Sequence, residues 1–183
     1  MVVLLATWVL ASCEEKNTQM VHELNEPDNL SQEVYDVYST LLVDRLGGEN
    51  FMVIQQETDT ALHRPACQSL LTSDTTSLVE STLHDYVSGN RQSANMDYAF
   101  STYQDIQLIT REEFDSYENW EGFQQNYPGA GGILFLRLPG FNEEHTQALF
   151  EYTWRTGDYS RSSYLVFMVK KESAWDIRVH KSL

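Results

Sequence analysis

The chain has 183 residues, with 27 acidic side chains against 12 basic ones and a formal net charge of −15. That length suits one domain with one core, and the negative excess disfavours nucleic acid and anionic lipid surfaces as partners. Two cysteines are too few for a disulfide framework.

The chain opens with an apolar run from Val2 to Val9, followed by Leu10, Ala11, Ser12 and Cys13. The run is shorter than the roughly 20 apolar residues that span a bilayer, and it ends in small side chains suited to cleavage. This stretch resembles the signal and lipobox of bacterial lipoprotein precursors, although no Lys or Arg precedes Val2. The resemblance implies a signal peptide over residues 1–12, cleavage before Cys13, and a diacylglyceryl group on the Cys13 thiol. The membrane is then a partner through lipid at Cys13, and two or three acyl chains anchor stably where one binds marginally. Glu14 stands where Asp marks inner-membrane retention in enteric bacteria, so the expected location is the cell envelope, with the outer membrane favoured in a Gram-negative cell.

Residues 13–30 read as the lipidated cysteine and an acidic tether without clear periodicity, and 31–183 as a single domain. Ser31 is placed to cap a helix carrying Val34, Val37, Tyr38, Leu41 and Leu42, with Gly47 and Gly48 as a left-handed stop. Phe51 to Ile54 form a short strand, and 57–74 read as a loop. Ser77 and Glu80 have capping-box spacing for a second helix with Leu78, Val79, Leu83, Tyr86 and Val87, ending at Gly89. Asn90 to Tyr103 read as a surface connection, and Ile106 to Ile109 as a strand. Thr110 and Glu113 repeat the capping-box spacing for a third helix bearing Phe114, Tyr117, Trp120 and Phe123, a stripe expected to face the core, with Tyr127, Pro128 and Gly129 closing it.

From Gly131 the pattern changes to strands: Ile133 to Leu138, Thr146 to Thr156, Tyr164 to Lys171 and Trp175 to His180. In the second, Ala148, Phe150, Tyr152 and Trp154 share one face, and Leu149, Glu151, Thr153 and Arg155 the other. The third is apolar on both faces until Lys170, as a strand covered on both sides would be. The predicted fold is α+β: amphipathic helices packed on one face of a bent antiparallel sheet with a carboxy-terminal four-stranded meander, cystatin-like or nuclear-transport-factor-like by analogy.

Residues 105–180 resemble an uncharacterised family of bacterial exported and lipoprotein-like domains. The residues that carry this are Ile109 to Phe114, then Trp120, Phe123, Tyr127, Pro128, Gly129 and Gly132, then Phe141, Asn142, Gln147 to Leu149, Tyr164 and Trp175. The resemblance implies no catalytic residue. Many members carry a cysteine-containing turn before the third meander strand, where this chain has Gly157, Asp158, Tyr159, Ser160 and Arg161. Any redox or metal role of that turn is therefore not expected here.

Few side chains point to catalysis. Cys67 lacks an intramolecular partner if Cys13 is lipidated, and it reads as a plain thiol rather than a nucleophile. Glu112, Glu113, Asp115, Glu118 and Glu121 crowd one segment as a solvated acidic face would, though paired carboxylates also serve glycoside hydrolysis. His22, His63, His84, His145 and His180 lack metal-ligand spacing, and no nucleophile elbow or phosphate loop occurs. Neither a metal nor a cofactor is expected.

The charge distribution points elsewhere. Residues 14–60 hold eleven acids against two bases, whereas residues 131–183 hold six against seven. An anionic ligand is therefore expected at the meander, with Arg137, Arg155 and Arg178 as guanidinium donors and Tyr152 or Trp154 as aromatic edges. The expected function is a lipid-anchored, non-catalytic binding or interaction module with an envelope protein or glycan as partner. The alternative is a carboxylate-dependent hydrolase of an envelope glycan.

Overall fold

The computed structural model describes residues 23–49, 51–73 and 77–183. The expected signal segment, Cys13, His22 and the first half of the expected tether lie outside these residues. No helix among the described residues is long and apolar enough to cross a membrane.

The described residues form five helices: α1 (Gln32–Leu46), α2 (Arg64–Leu71), α3 (Glu80–Gly89), α4 (Arg111–Ser116) and α5 (Trp120–Asn126). Seven strands, β1 (Phe51–Gln55), β2 (Asp105–Ile109), β3 (Ile133–Leu136), β4 (Gly140–Phe141), β5 (Gln147–Arg155), β6 (Arg161–Lys171) and β7 (Ala174–Ser182), form one sheet. Its order is β2-β1-β3-β5-β6-β7, with β4 pairing to β5 off that path. The architecture is α+β. The meander β3-β5-β6-β7 is antiparallel throughout, while β1 runs parallel to both β2 and β3, so the complete sheet is mixed.

Strand register sorts the side chains. Leu134, Leu136, Phe150, Tyr152, Val166 and Met168 share one face, and Ile133, Phe135, Leu149, Glu151, Leu165 and Phe167 the other. Helix α1 covers the first face, where the Tyr38 ring meets Phe150 edge-on at 5.8 Å. The remaining helices cover the second: Cys67 of α2 reaches Glu151, Thr82 of α3 reaches Gln147, and Phe114 of α4 packs on Phe135. Helices on both faces, rather than one, explain why β6 is apolar on both sides.

Several local devices differ from their sequence signals. Gly47 has φ −64°, so it is no left-handed stop. A Cβ there would lie 2.5 Å from the Val43 carbonyl oxygen and 2.6 Å from the Tyr103 hydroxyl, so closeness requires the glycine. Helix α2 occupies part of the expected loop because Pro65 falls in its first turn, where a missing N–H costs nothing. Helix α3 begins at Glu80 without a capping box. Its end is held by the Gln147 side chain, which accepts from Val79 N–H at 3.0 Å and the Thr82 hydroxyl at 3.2 Å.

Thr110 does cap α4, accepting from Glu113 N–H at 3.0 Å. The Glu113 carboxylate instead takes hydrogen bonds from Tyr117 and Tyr127. Burial and that carboxylate push the Tyr117 hydroxyl up to about 12. The expected third helix is split, because Asn119 leaves helical geometry and caps α5 through Gly122 N–H at 3.0 Å. Pro128 and Gly129 then form a type II turn, closed by Ala130 N–H to the Tyr127 carbonyl, with Gly129 at φ +90°.

Residues 23–30, the described part of the expected tether, lack regular secondary structure and are held to the body. Asn25 exchanges backbone hydrogen bonds with the Gln56 side chain at 2.8 and 2.9 Å, and Asp28 accepts from Asn95 N–H at 2.7 Å. Leu24 and Leu30 pack against the core.

The start of α1 is clamped to the sheet by Glu33, which receives Lys170 Nζ at 2.6 Å and pairs with His145 Nδ1 at 2.5 Å. Burial alone would raise its pKa, but these two partners together hold the carboxyl below its ordinary value. A lowered folded-state value means the clamp stabilises at pH above the unfolded carboxyl range and is lost as pH falls through the folded value. We expect Glu33→Gln to melt earlier than the parent at neutral pH, with the two melting temperatures converging below about pH 4. A gap that persists at acid pH would show that Glu33 acts through packing.

Candidate binding groove

The second sheet face is not evenly covered. Helices α4 and α5 sit over β3 and its neighbours, and α2 and α3 sit over β4 and β5, leaving a groove between the two caps. It holds a cavity of about 620 Å³ lined by Asp59, Phe135, Arg137, Thr153, Arg155, Asp158, Tyr159, Arg161 and Ser163, among others. A second cavity of about 460 Å³ adjoins it and reaches past His63 and Ser182. The two share Ala61, Arg137, Arg161 and Ser163, which gives the groove an elongated form.

Arg137 is the buried anchor. Its backbone is fixed by the bond to the Glu151 carbonyl at 3.1 Å and by the Tyr38 hydroxyl on its own carbonyl at 2.9 Å. Its guanidinium lies 3.2 Å from Asp59 Oδ2 and 3.7 Å from Glu151 Oε2, and Nε donates to the Ala61 carbonyl. Glu151 is 1% exposed and also accepts from His63 N–H at 3.0 Å and the Cys67 thiol at 3.4 Å. Burial and the neighbouring carboxylate push the Cys67 thiol up to about 12, so it is a protonated donor and not a nucleophile. The Tyr86 hydroxyl is buried beside Glu151 as well, and burial together with that carboxylate raises its pKa.

Arg155 and Arg161 stand directly opposite each other on β5 and β6 and so project to the same face. Arg155 is half-buried: its guanidinium carbon lies 5.1 Å from the centre of the Phe114 ring, Nε donates to the Gly157 carbonyl at 3.0 Å, and Nη2 lies 3.7 Å from Asp158. Asp158 is itself oriented by Trp120 N–H at 2.9 Å. Arg161 is exposed and has no carboxylate within ion-pair distance among the described residues. Like charges placed opposite each other on a ladder repel, and here only one of the two is compensated. The hairpin that joins them carries Tyr159 at the rim, fully open to solvent.

The five residues expected to gather at the meander are thus divided. Arg137 and Arg155 line one groove. Arg178 lies on β7, exposed, and pairs with Asp176 at 3.3 Å. Tyr152 and Trp154 project to the opposite face, as strand alternation from Arg155 requires. Tyr152 is buried there, with its hydroxyl 2.8 Å from His180 Nε2 and its ring stacked on Tyr164 at 5.0 Å. Burial and then Arg45 depress the His180 pKa, which keeps the imidazole neutral and able to accept from Tyr152. Trp154 lies against Gly132.

Arg161 and Tyr159 are groove residues that sequence pattern alone places in a turn. The signal for them is the near-symmetric stretch from Arg155 to Arg161 around Gly157 and Asp158, where Thr156 N–H bonds to the Ser160 carbonyl and closes the hairpin.

The other candidates do not assemble. Glu112, Asp115, Glu118 and Glu121 are exposed, and Glu113 is held by its two tyrosines. Among the described residues no group of three or more His, Cys, Asp or Glu side chains is arranged to hold a metal ion. No family model matches the chain, and no curated protein or solved structure shows significant similarity to it.

Proposed function

We propose that this protein is a non-catalytic binding module of the cell envelope, held by lipid at Cys13, whose groove takes an anionic ligand. The observation that carries the reading is the uncompensated Arg161 guanidinium facing Arg155 across the ladder, on a chain otherwise strongly acidic. An anion placed between them removes their repulsion and receives forked hydrogen bonds. Hydrolysis is the weaker reading, since Asp59 and Glu151 are both committed to Arg137 and neither stands free as acid or base.

Thermal melts of the full chain with acetate, sulfate, phosphate or glucuronate should show a rise of a few degrees with at least one, lost in Arg161→Ala. Equal shifts in parent and variant would place the anion outside the groove. Labelling of cells with an alkyne fatty acid should mark the parent chain and not Cys13→Ala. Equal labelling of the two would sink the anchor.

A further inference from the structure

On the reading that the groove takes an anion, we infer that its ligand is an acidic glycan carrying a single carboxylate on the recognised sugar, a uronic-acid-type unit. The ion pairing leaves one cation to meet an anion and so favours a single carboxylate. Arg137 faces two carboxylates, Asp59 and Glu151, and Arg155 faces Asp158, which leaves Arg161 as the one arginine in the groove without a carboxylate partner among the described residues. A polyanion would bring further negative charge onto a chain of net charge −15 with nothing left to meet it.

The remaining groups suit a sugar better than a peptide. Asp59 is pre-oriented by Arg137 and by Ala61 N–H at 3.3 Å, and Asp158 by Arg155 and Trp120 N–H. Their free lone pairs accept from hydroxyl groups, which a glycan supplies at every ring and which acidic peptides need not have. Tyr159 offers an unoccupied ring at the rim for the apolar face of a pyranose, and the elongated groove accommodates successive units. Thr153 and Ser163 bond to each other on the groove floor at 2.8 Å and present further hydroxyl oxygens to a sugar.

The test is titration calorimetry of the full chain with an aldotriouronate, a trisaccharide bearing one uronic acid on two neutral sugars, with its methyl ester, with a trisulfated trisaccharide and with tri-aspartate. The aldotriouronate is expected to bind at least tenfold more tightly than the other three. Arg161→Ala should lose at least tenfold of that affinity. Tyr159→Ala should lose three- to tenfold and Tyr159→Phe almost none, while acetate binding is the same in both Tyr159 variants. Equal binding of the methyl ester, or tighter binding of tri-aspartate or the sulfated sugar, overturns this inference and leaves the anion site standing. If acetate, sulfate, phosphate, glucuronate and all four calorimetric probes fail to bind, both readings fall.

Discussion

Arg137→Ala should destabilise the fold by about 3–5 kcal/mol, because it leaves Glu151 buried with its counter-charge removed. The arginine also bridges Asp59 and the Ala61 carbonyl, so the loss includes the loop that leads into α2. Much of this cost is the stranded carboxylate and not the worth of the ion pair. The double variant Arg137→Met with Glu151→Gln should therefore recover most of it, since glutamine still accepts from His63 N–H and carries no charge. Urea unfolding of the three proteins checks this. A double variant no more stable than the single one would mean that Arg137 acts through packing alone.

Gly140→Ala should cost about 3 kcal/mol or more, the upper end of what overpacking exacts. A Cβ at Gly140 would lie 2.1 Å from the Tyr86 nitrogen and 2.3 Å from its Cα, so the obstruction is helix backbone and not a side chain that can swing aside. Helix α3 is also fixed beside β4 by Asp85, which accepts from Phe141 N–H at 2.8 Å, and by Asn90, which brackets Leu138 through both its N–H and its carbonyl. The helix cannot retreat without breaking these bonds. Gly89→Ala, at the end of the same helix with open space around it, is expected to stabilise by roughly 0.5–1 kcal/mol. Two alanine substitutions of opposite sign on one helix–strand unit would separate crowding from propensity. Similar unfolding midpoints for the two variants would contradict the packing argument.

What the sequence made legible follows the range of the interactions involved. Helix α1 and strands β5 and β6 announce themselves because periodicity is local and several turns or alternations long. Helix α2 has eight residues, with small Ala66 and Cys67 at buried positions and a proline near its start, too little pattern to separate it from a loop. The cap on α3 comes from Gln147, nearly seventy residues away, and no spacing rule reaches that far.

The same distinction runs through the site. Arg137 and Arg155 stood out because they are basic residues in the one stretch of the chain that is not acidic, and the fold brings them to one groove. Arg178 carries the same compositional signal, but β7 sets it apart with its own carboxylate partner. Tyr152 and Trp154 differ from Arg155 by odd steps along one strand, and that parity alone assigns them to the α1 side. Arg161 requires the hairpin register, which depends on how the five residues between Arg155 and Arg161 turn.

The parallel placement of β1 has a consequence for how this chain acquires its structure. The strand lies inside the sheet, yet Phe51 pairs with Asp105 and Val53 with Ile133, so both neighbours are made long after it. Until β3 has left the ribosome, Met52, Val53 and Ile54 have no complete surface to join, and the chain stays open. The β5-β6-β7 hairpins, by contrast, join segments adjacent in sequence and can assemble as soon as they exist. Closure of the early segment onto the late-formed hairpins is therefore expected to be the slow step of folding, because it must bring residues about fifty to eighty positions apart into register.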